Sequence, residues 1–160
     1  MKKGLYIGRF QPFHLGHLSA VKQALIQVDF LMIGIGSSQY SGTEKNPFPL
    51  ELRQQMIQRS LADAGVEEDR YQIIPIPDIH NNPKWPAHVR SLVGDFDVLF
   101  MANVGIVKEL FETYDSVKIE PLKKEVDISA TQIRELMKSG GQWQKFVPKA
   151  TTEVINSQSI

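Results

Sequence analysis

The sequence predicts a doubly wound α/β chain in which a mainly parallel five-stranded sheet carries helices on both faces. Three observations predict it. Short apolar runs alternate with segments of helical period along most of the chain. The runs are apolar throughout instead of alternating with polar residues, as strands buried on both faces require. No internal repeat or low-complexity stretch interrupts them. This pattern calls for a single domain over 1–160, with 142–160 as a helical tail.

Each element follows from local pattern. Leu5-Tyr6-Ile7, closed by Gly8, reads as a buried strand, and Leu18, Val21, Leu25 and Val28 set a helical spacing over Leu15 to Val28,. Phe30 to Gly36 is a second apolar run, followed from Ser37 to Pro49 by a polar loop rich in turn formers,. Leu52, Met56, Ile57 and Leu61 predict a helix over Leu50 to Ala64 that Gly65 stops,. Tyr71 to Ile76 is the third strand. The polar loop after it, Pro77 to Pro86, leads into a short helix ending at Val93. Asp97 to Met101 and Val117 to Leu122 are strands around a helix from Val104 to Tyr114. Ile133, Leu136 and Met137 carry a helix that ends at Gly140-Gly141, and a further short helix is expected before Ile160. In such a fold a ligand lies beyond the carboxyl ends of the strands, where the strand order reverses.

Composition narrows the function. Lysine and arginine total 18, as do aspartate and glutamate, and neither sign forms a long block. The chain has no global field for nucleic acid or a membrane surface, so any anionic ligand must be met by local charge. The absence of cysteine excludes disulfides and thiolate metal sites,. The apolar run after Met1-Lys2-Lys3-Gly4 is too short for a signal peptide and no stretch is long enough to span a bilayer, so a cytoplasmic location is expected,.

The stretch Gly8-Arg9-Phe10-Gln11-Pro12-Phe13-His14-Leu15-Gly16-His17 joins the first strand to the first helix. A helix N-terminus offers unpaired N–H groups and the positive end of the macrodipole, which suits phosphate. Arg9 adds a fixed charge, and His14 and His17, three apart, fall on one helix face. Taken alone, such a pair also serves as a cap or a solvated surface, Ser129 and Thr131 read as caps, Arg134 and Lys45 as solvent-facing charges, and Trp85 as a core or lid aromatic. The Gly-rich dinucleotide fingerprint and the P-loop are both missing,.

Taken together, residues 8–17 and Ile128-Ser129-Ala130-Thr131-Gln132-Ile133-Arg134 resemble the two signatures of the nucleotidyltransferase superfamily, His-x-Gly-His and Ile-Ser-x-Thr-x-x-Arg. The form Gly-Arg-x-Gln-Pro-Phe-His is similar to the archaeal nicotinamide mononucleotide adenylyltransferases, and the likeness extends through Gly36-Ser37-Ser38-Gln39, Asn46-Pro47-Phe48, and Asp78 with Asn82 and Trp85. The resemblance implies a Rossmann-like fold and transfer of AMP from ATP to nicotinamide mononucleotide, giving NAD and pyrophosphate. It implies ATP contacts at Gly8, Arg9, Phe10, His14, Gly16, His17, Ser129, Thr131 and Arg134, with His17 on the α-phosphate, Gly16 clearing room for adenine or ribose, and Arg134 on the leaving pyrophosphate. Lys45 stands where the family usually has arginine, which keeps the charge and loses the fork. Arg9, Gln11, Ser37, Asp78, Asn82 and Trp85 are implied for the mononucleotide, with Trp85 stacking on the cationic ring. Magnesium is expected to arrive on the ATP phosphates, without a protein cage. A homo-oligomer, in the family a hexamer, is also implied.

Phosphopantetheine adenylyltransferase shares both signatures but has Thr-x-Asp-Pro where this chain has Arg9-Phe10-Gln11-Pro12, and has no use for Trp85. Cytidylyltransferases and flavin adenylyltransferases are further rivals. A nucleotide-sensing module that transfers nothing is the non-enzymatic alternative, and the intact set of His14, His17, Ser129 and Arg134 argues against it.

Overall fold

The computed structural model of the chain describes residues 1–103 and 105–158. In chain order the elements are β1 (Lys3–Gly8), α1 (Leu15–Gln27), β2 (Phe30–Gly36), α2 (Leu50–Asp63), β3 (Tyr71–Ile76), α3 (Trp85–Val93), β4 (Val98–Met101), α4 (Ile106–Tyr114), β5 (Lys118–Pro121), α5 (Ala130–Ser139) and α6 (Lys149–Asn156). The sheet has the order β3-β2-β1-β4-β5 and every pairing is parallel. The chain winds outward from β1 to β3, then crosses to the other side of β1 to lay down β4 and β5.

The strands alternate between two cores, as a period of two requires. Tyr6, Leu31, Ile33, Val98 and Phe100 face α1, α2 and α6, whereas Leu5, Met32, Ile74 and Leu99 face α3 and α4. Gly34 has no room for a side chain, because a Cβ there would lie 2.5 Å from Ile76 Cδ1. The interior places α2 and α6 side by side over one face, and Thr151 Oγ1 of α6 donates a buried hydrogen bond of 3.0 Å to the carbonyl of Phe13. A third small cluster, Ile128, Ile133, Trp143 and Val147, seats α5.

Element boundaries differ from expectation by one or two residues at several ends, with α1 closing at Gln27, α2 at Asp63 and β5 running only from Lys118 to Pro121. Asp97 does not enter β4; its backbone N–H and its carboxylate both bond Lys3, at 2.8 Å each, and tie off the strand start. The expected helix start at Val104 lies outside the described residues, and α4 begins at Ile106. The tail helix ends at Asn156, and residues 159–160 lie outside the described residues.

Candidate active site

The first turn of α1 is closed by its two histidines. His14 is the N-cap: its Nδ1 accepts from the backbone N–H of Gly16 at 3.0 Å and of His17 at 3.3 Å, while His17 Nδ1 accepts from the backbone N–H of His14 at 3.1 Å. Two imidazoles thus replace the usual serine and glutamate of a capping box. Because each Nδ1 is an acceptor, each neutral ring carries its proton on Nε2, and that N–H is the donor left for a ligand. The rings stack at 3.6 Å, Phe13 stacks on His17 at 5.6 Å, and Phe10 meets His17 edge-on at 4.8 Å. Burial, with Lys124 adding to it, lowers the His14 pKa to about 4, and burial followed by the neighbouring His14 holds His17 well below its ordinary value. Both rings are neutral hydrogen-bond donors at physiological pH. Gly16 is required by this cap, since a Cβ there would sit 2.8 Å from His14 Cε1.

The second signature caps α5. Ser129 Oγ accepts from the Gln132 N–H at 3.1 Å and Gln132 Oε1 accepts from the Ser129 N–H at 2.9 Å. One turn on, Arg134 reaches back to the first loop, with Nη1 donating to the Gln11 carbonyl at 2.8 Å and Nη2 to Thr131 Oγ1 at 3.2 Å. Thr131 braces Arg134 from an exposed position and does not line a cavity. None of the ion pairs among the described residues involves Arg9, Arg53 or Arg134. Burial first, and then Arg9, lowers the pKa of both Arg53 and Arg134, with Glu135 opposing the shift at Arg134,.

Two cavities of about 380 Å³ each open at the carboxyl edge of the sheet. His14, His17, Ser129, Arg134, Lys124 and Tyr6 line the first. Ser37, Asp78, His80, Asn82 and Trp85 line the second. Ile7, Gly8 and Arg9 from β1 and its loop, with Ile106 and Val107 from α4, belong to both. The seam between the cavities thus lies where the strand order reverses, beside the ends of β1 and β4,.

The second cavity is built from loops held by side chains. Ser37 Oγ donates to Asp78 Oδ2 at 2.8 Å, Gln39 bonds the Asp78 backbone twice at 2.9 and 3.0 Å, and Tyr40 Oη meets His80 Nε2 at 2.8 Å. Trp85 packs edge-on against Phe111 at 5.9 Å. Phe10, Ser37 and His80, one in each loop after β1, β2 and β3, have φ of 54°, 49° and 52° without being glycine. Left-handed backbone at non-glycine residues costs energy and concentrates where function demands a shape.

Lys45 joins Thr131 outside the lining of both cavities, and Gln11 lines only one of them. Lys45 is exposed and lines neither cavity; it sits in a tight turn where Thr43 N–H bonds the Asn46 carbonyl at 3.3 Å, beside Glu44, which pairs with Lys138 at 2.8 Å. Gln11 lines the first cavity and not the second, and both ends of its amide are taken by the Phe48 backbone, at 2.9 and 3.0 Å. Phe10 lines the first cavity but is buried, its ring under Gly8, where a Cβ would meet it at 2.9 Å.

Sequence reasoning missed Arg53, fully buried in α2, and Gln23 of α1, whose amide bonds the Lys123 backbone and Glu125 and so shapes the wall of the first cavity. Arg53 had a signal: it falls four before Ile57 and eight before Leu61, in the apolar stripe of its helix,. Gln23 had none.

The sheet order and the capped signature loops define a class that the family comparison names. The cytidylyltransferase-like family matches residues 5–136. Nicotinamide-nucleotide adenylyltransferase of Thermococcus onnurineus is 45% identical over 155 residues, covering 96% of this chain and 82% of that one. The protein of the same name from Saccharolobus solfataricus is 42% identical, covering 97% and 90%. A solved bifunctional NMN adenylyltransferase/ADP ribose pyrophosphatase from Francisella tularensis superposes with a TM-score of 0.85 at 24% identity, over 99% of this chain and 50% of that one, a likeness of fold. The chain belongs to the cytidylyltransferase-like family and, within it, to the nicotinamide-nucleotide adenylyltransferases.

Proposed function

We propose that the chain transfers AMP from ATP to nicotinamide mononucleotide, forming NAD and pyrophosphate, with ATP in the first cavity and the mononucleotide in the second. The observation that carries this assignment is the seam at Gly8 and Arg9: a cation-lined cavity and a tryptophan-lined cavity, similar in size, meet over one arginine. An adenylyl transfer needs its two substrates to meet in this way, with the acceptor phosphate presented to the α-phosphorus.

The acceptor's 5′-phosphate oxygen forms the new bond to the α-phosphorus as the bond to the leaving pyrophosphate breaks. No protein nucleophile takes part. His14 and His17 donate from Nε2 to the α- and β-phosphates and follow the charge as it grows in the transition state. Being neutral, they stabilise by hydrogen bonding without releasing a proton. Ser129, the N-terminus of α5 and Arg134 hold the pyrophosphate end, with Thr131 steadying Arg134. Arg9 spans the seam and orients the acceptor phosphate. Trp85 offers its indole to the pyridinium, Asn82 its amide to the carboxamide, and the Ser37–Asp78 pair a polar contact for ribose.

Magnesium enters as part of the ATP complex. Glu125 is the one carboxylate lining the first cavity among the described residues, and its Oε1 already accepts from Ser19 and Gln23. That donor set suits an ion carried on phosphate oxygens. No helix among the described residues is long and apolar enough to cross a membrane, and ATP as co-substrate supports the cytoplasm as the place of action. The family resemblance supports a homo-oligomer, up to a hexamer, which sedimentation would test.

Incubation with ATP, magnesium and nicotinamide mononucleotide should give NAD and pyrophosphate in equal amounts. Binding of both substrates without product would leave a sensing module, and turnover with phosphopantetheine alone would overturn the acceptor.

A further inference from the structure

Arg53 is the least expected side chain in the molecule. It is fully buried, no carboxylate pairs with it among the described residues, and its guanidinium is spent on main-chain oxygen. Nη1 donates to the carbonyls of Arg9 at 3.0 Å and Gly36 at 3.1 Å; Nη2 donates to those of Ser37, Ser38 and Tyr40, each at 3.3 Å. Its Nε is buried without a partner. A buried charge held only by carbonyl dipoles is costly, and a methionine of similar length would fill the space. What the guanidinium supplies, and methionine cannot, is a fork that binds two loops at once.

The distribution of those carbonyls is uneven. Gly36 and Ser37 line the second cavity only, and Tyr40 holds His80, which lines it too. Arg9 is the charged residue among those that line both cavities. The capped histidines and α5 receive nothing from Arg53. We infer that Arg53 is a positioning residue for the acceptor, setting the loop after β2 and the backbone of Arg9 so that the second cavity is formed before its ligand arrives. This rests on the assignment of the two cavities to acceptor and ATP.

The test compares Arg53→Lys and Arg53→Met with the unaltered protein. Lysine keeps the charge but cannot span five carbonyls on two loops, so Arg53→Lys should raise the KM for nicotinamide mononucleotide about tenfold or more and lower kcat, with the KM for ATP within about twofold. Amide exchange should quicken at residues 36–40 while the amides of α1 and α5 keep their protection. Arg53→Met should show the same asymmetry more strongly; should it fail to fold, Arg53→Lys carries the test alone. Equal change in both KM values, full rescue by lysine, or unaltered exchange at 36–40 overturns the inference. If the unaltered protein turns over neither substrate, the assignment of function fails instead, and amide exchange still reports on Arg53.

Discussion

The two cavities are of one size but are held in shape by different means. The first is built from the ends of regular elements: β1 delivers Gly8, α1 and α5 are closed by capping boxes, and the histidines that cap α1 also line the cavity. The second is built from loops, and what fixes it are long-range side-chain ties, Ser37 to Asp78, Gln39 to Asp78, Tyr40 to His80 and Arg53 to five carbonyls. A site made from helix caps inherits the rigidity of the helix. One made from loops must be tied, and its shape can change without disturbing the fold. On the assignment proposed above, the helix-capped cavity would take the triphosphate and the tied loops the acceptor.

This contrast can be broken or sharpened by substitution. The largest effect is expected from His17→Ala, which removes a donor at the reacting phosphate: kcat should fall about 10²- to 10³-fold, with ATP affinity much less altered. Isothermal titration beside steady-state rates reads both, and equal losses would make His17 a ground-state contact. Trp85→Ala should raise the acceptor KM about fivefold, the worth of a cation–π contact of order 1 kcal/mol, and leave the ATP KM unchanged. An effect on ATP instead would join the cavities that the comparison separates.

Acid should act on the first region more than on the second. The native pKa of His14 is lowered to about 4 from 6.5, so the unfolded chain takes up the proton first. The stabilisation is complete above about 6.5 and is lost as the pH falls toward 4,. His17, lowered in the same direction, adds to this. Denaturant midpoints measured across that range should fall with pH, and His14→Asn, which keeps a capping side chain, should flatten the slope. The smallest effect is expected from Thr131→Ala, a loss of about two- to threefold in kcat, since it removes one exposed hydrogen bond to Arg134. Thermal melting beside the rates separates this from a weakened α5.

The sequence carried the fold because its strands are continuous apolar runs ended by glycine or polar turns, and parallel order followed from their alternation with helices. Part of the first cavity was legible for a related reason: His14, His17, Ser129 and Arg134 lie in two compact stretches, 8–17 and 128–134, whose spacing is set by helix starts, whereas its walls from 100–103, 105–107 and 123–126 carry no such pattern. Even there the sequence did not show that a Cβ on Gly16 would meet the ring of His14. Gln11 looked like a ligand residue because it sits in the motif, yet only the folded chain brings Phe48 against its amide. Arg53 showed in the sequence only as a polar residue in the apolar stripe of its helix, and Gln23 not at all. Their partners lie 13 to 44 and 100 to 102 residues away, and nothing in local pattern announces a contact across that separation.

The hydrogen bond from Thr151 to the carbonyl of Phe13 joins residues 138 apart. Phe13 in turn stacks on His17, so the signature loop near the amino end leans on a helix near the carboxyl end. During synthesis the signature histidines leave the ribosome early, but their loop acquires its last support only after residue 151 has followed. A nascent or clipped chain ending before α6 would carry every signature residue of the first cavity and still present a loosened one.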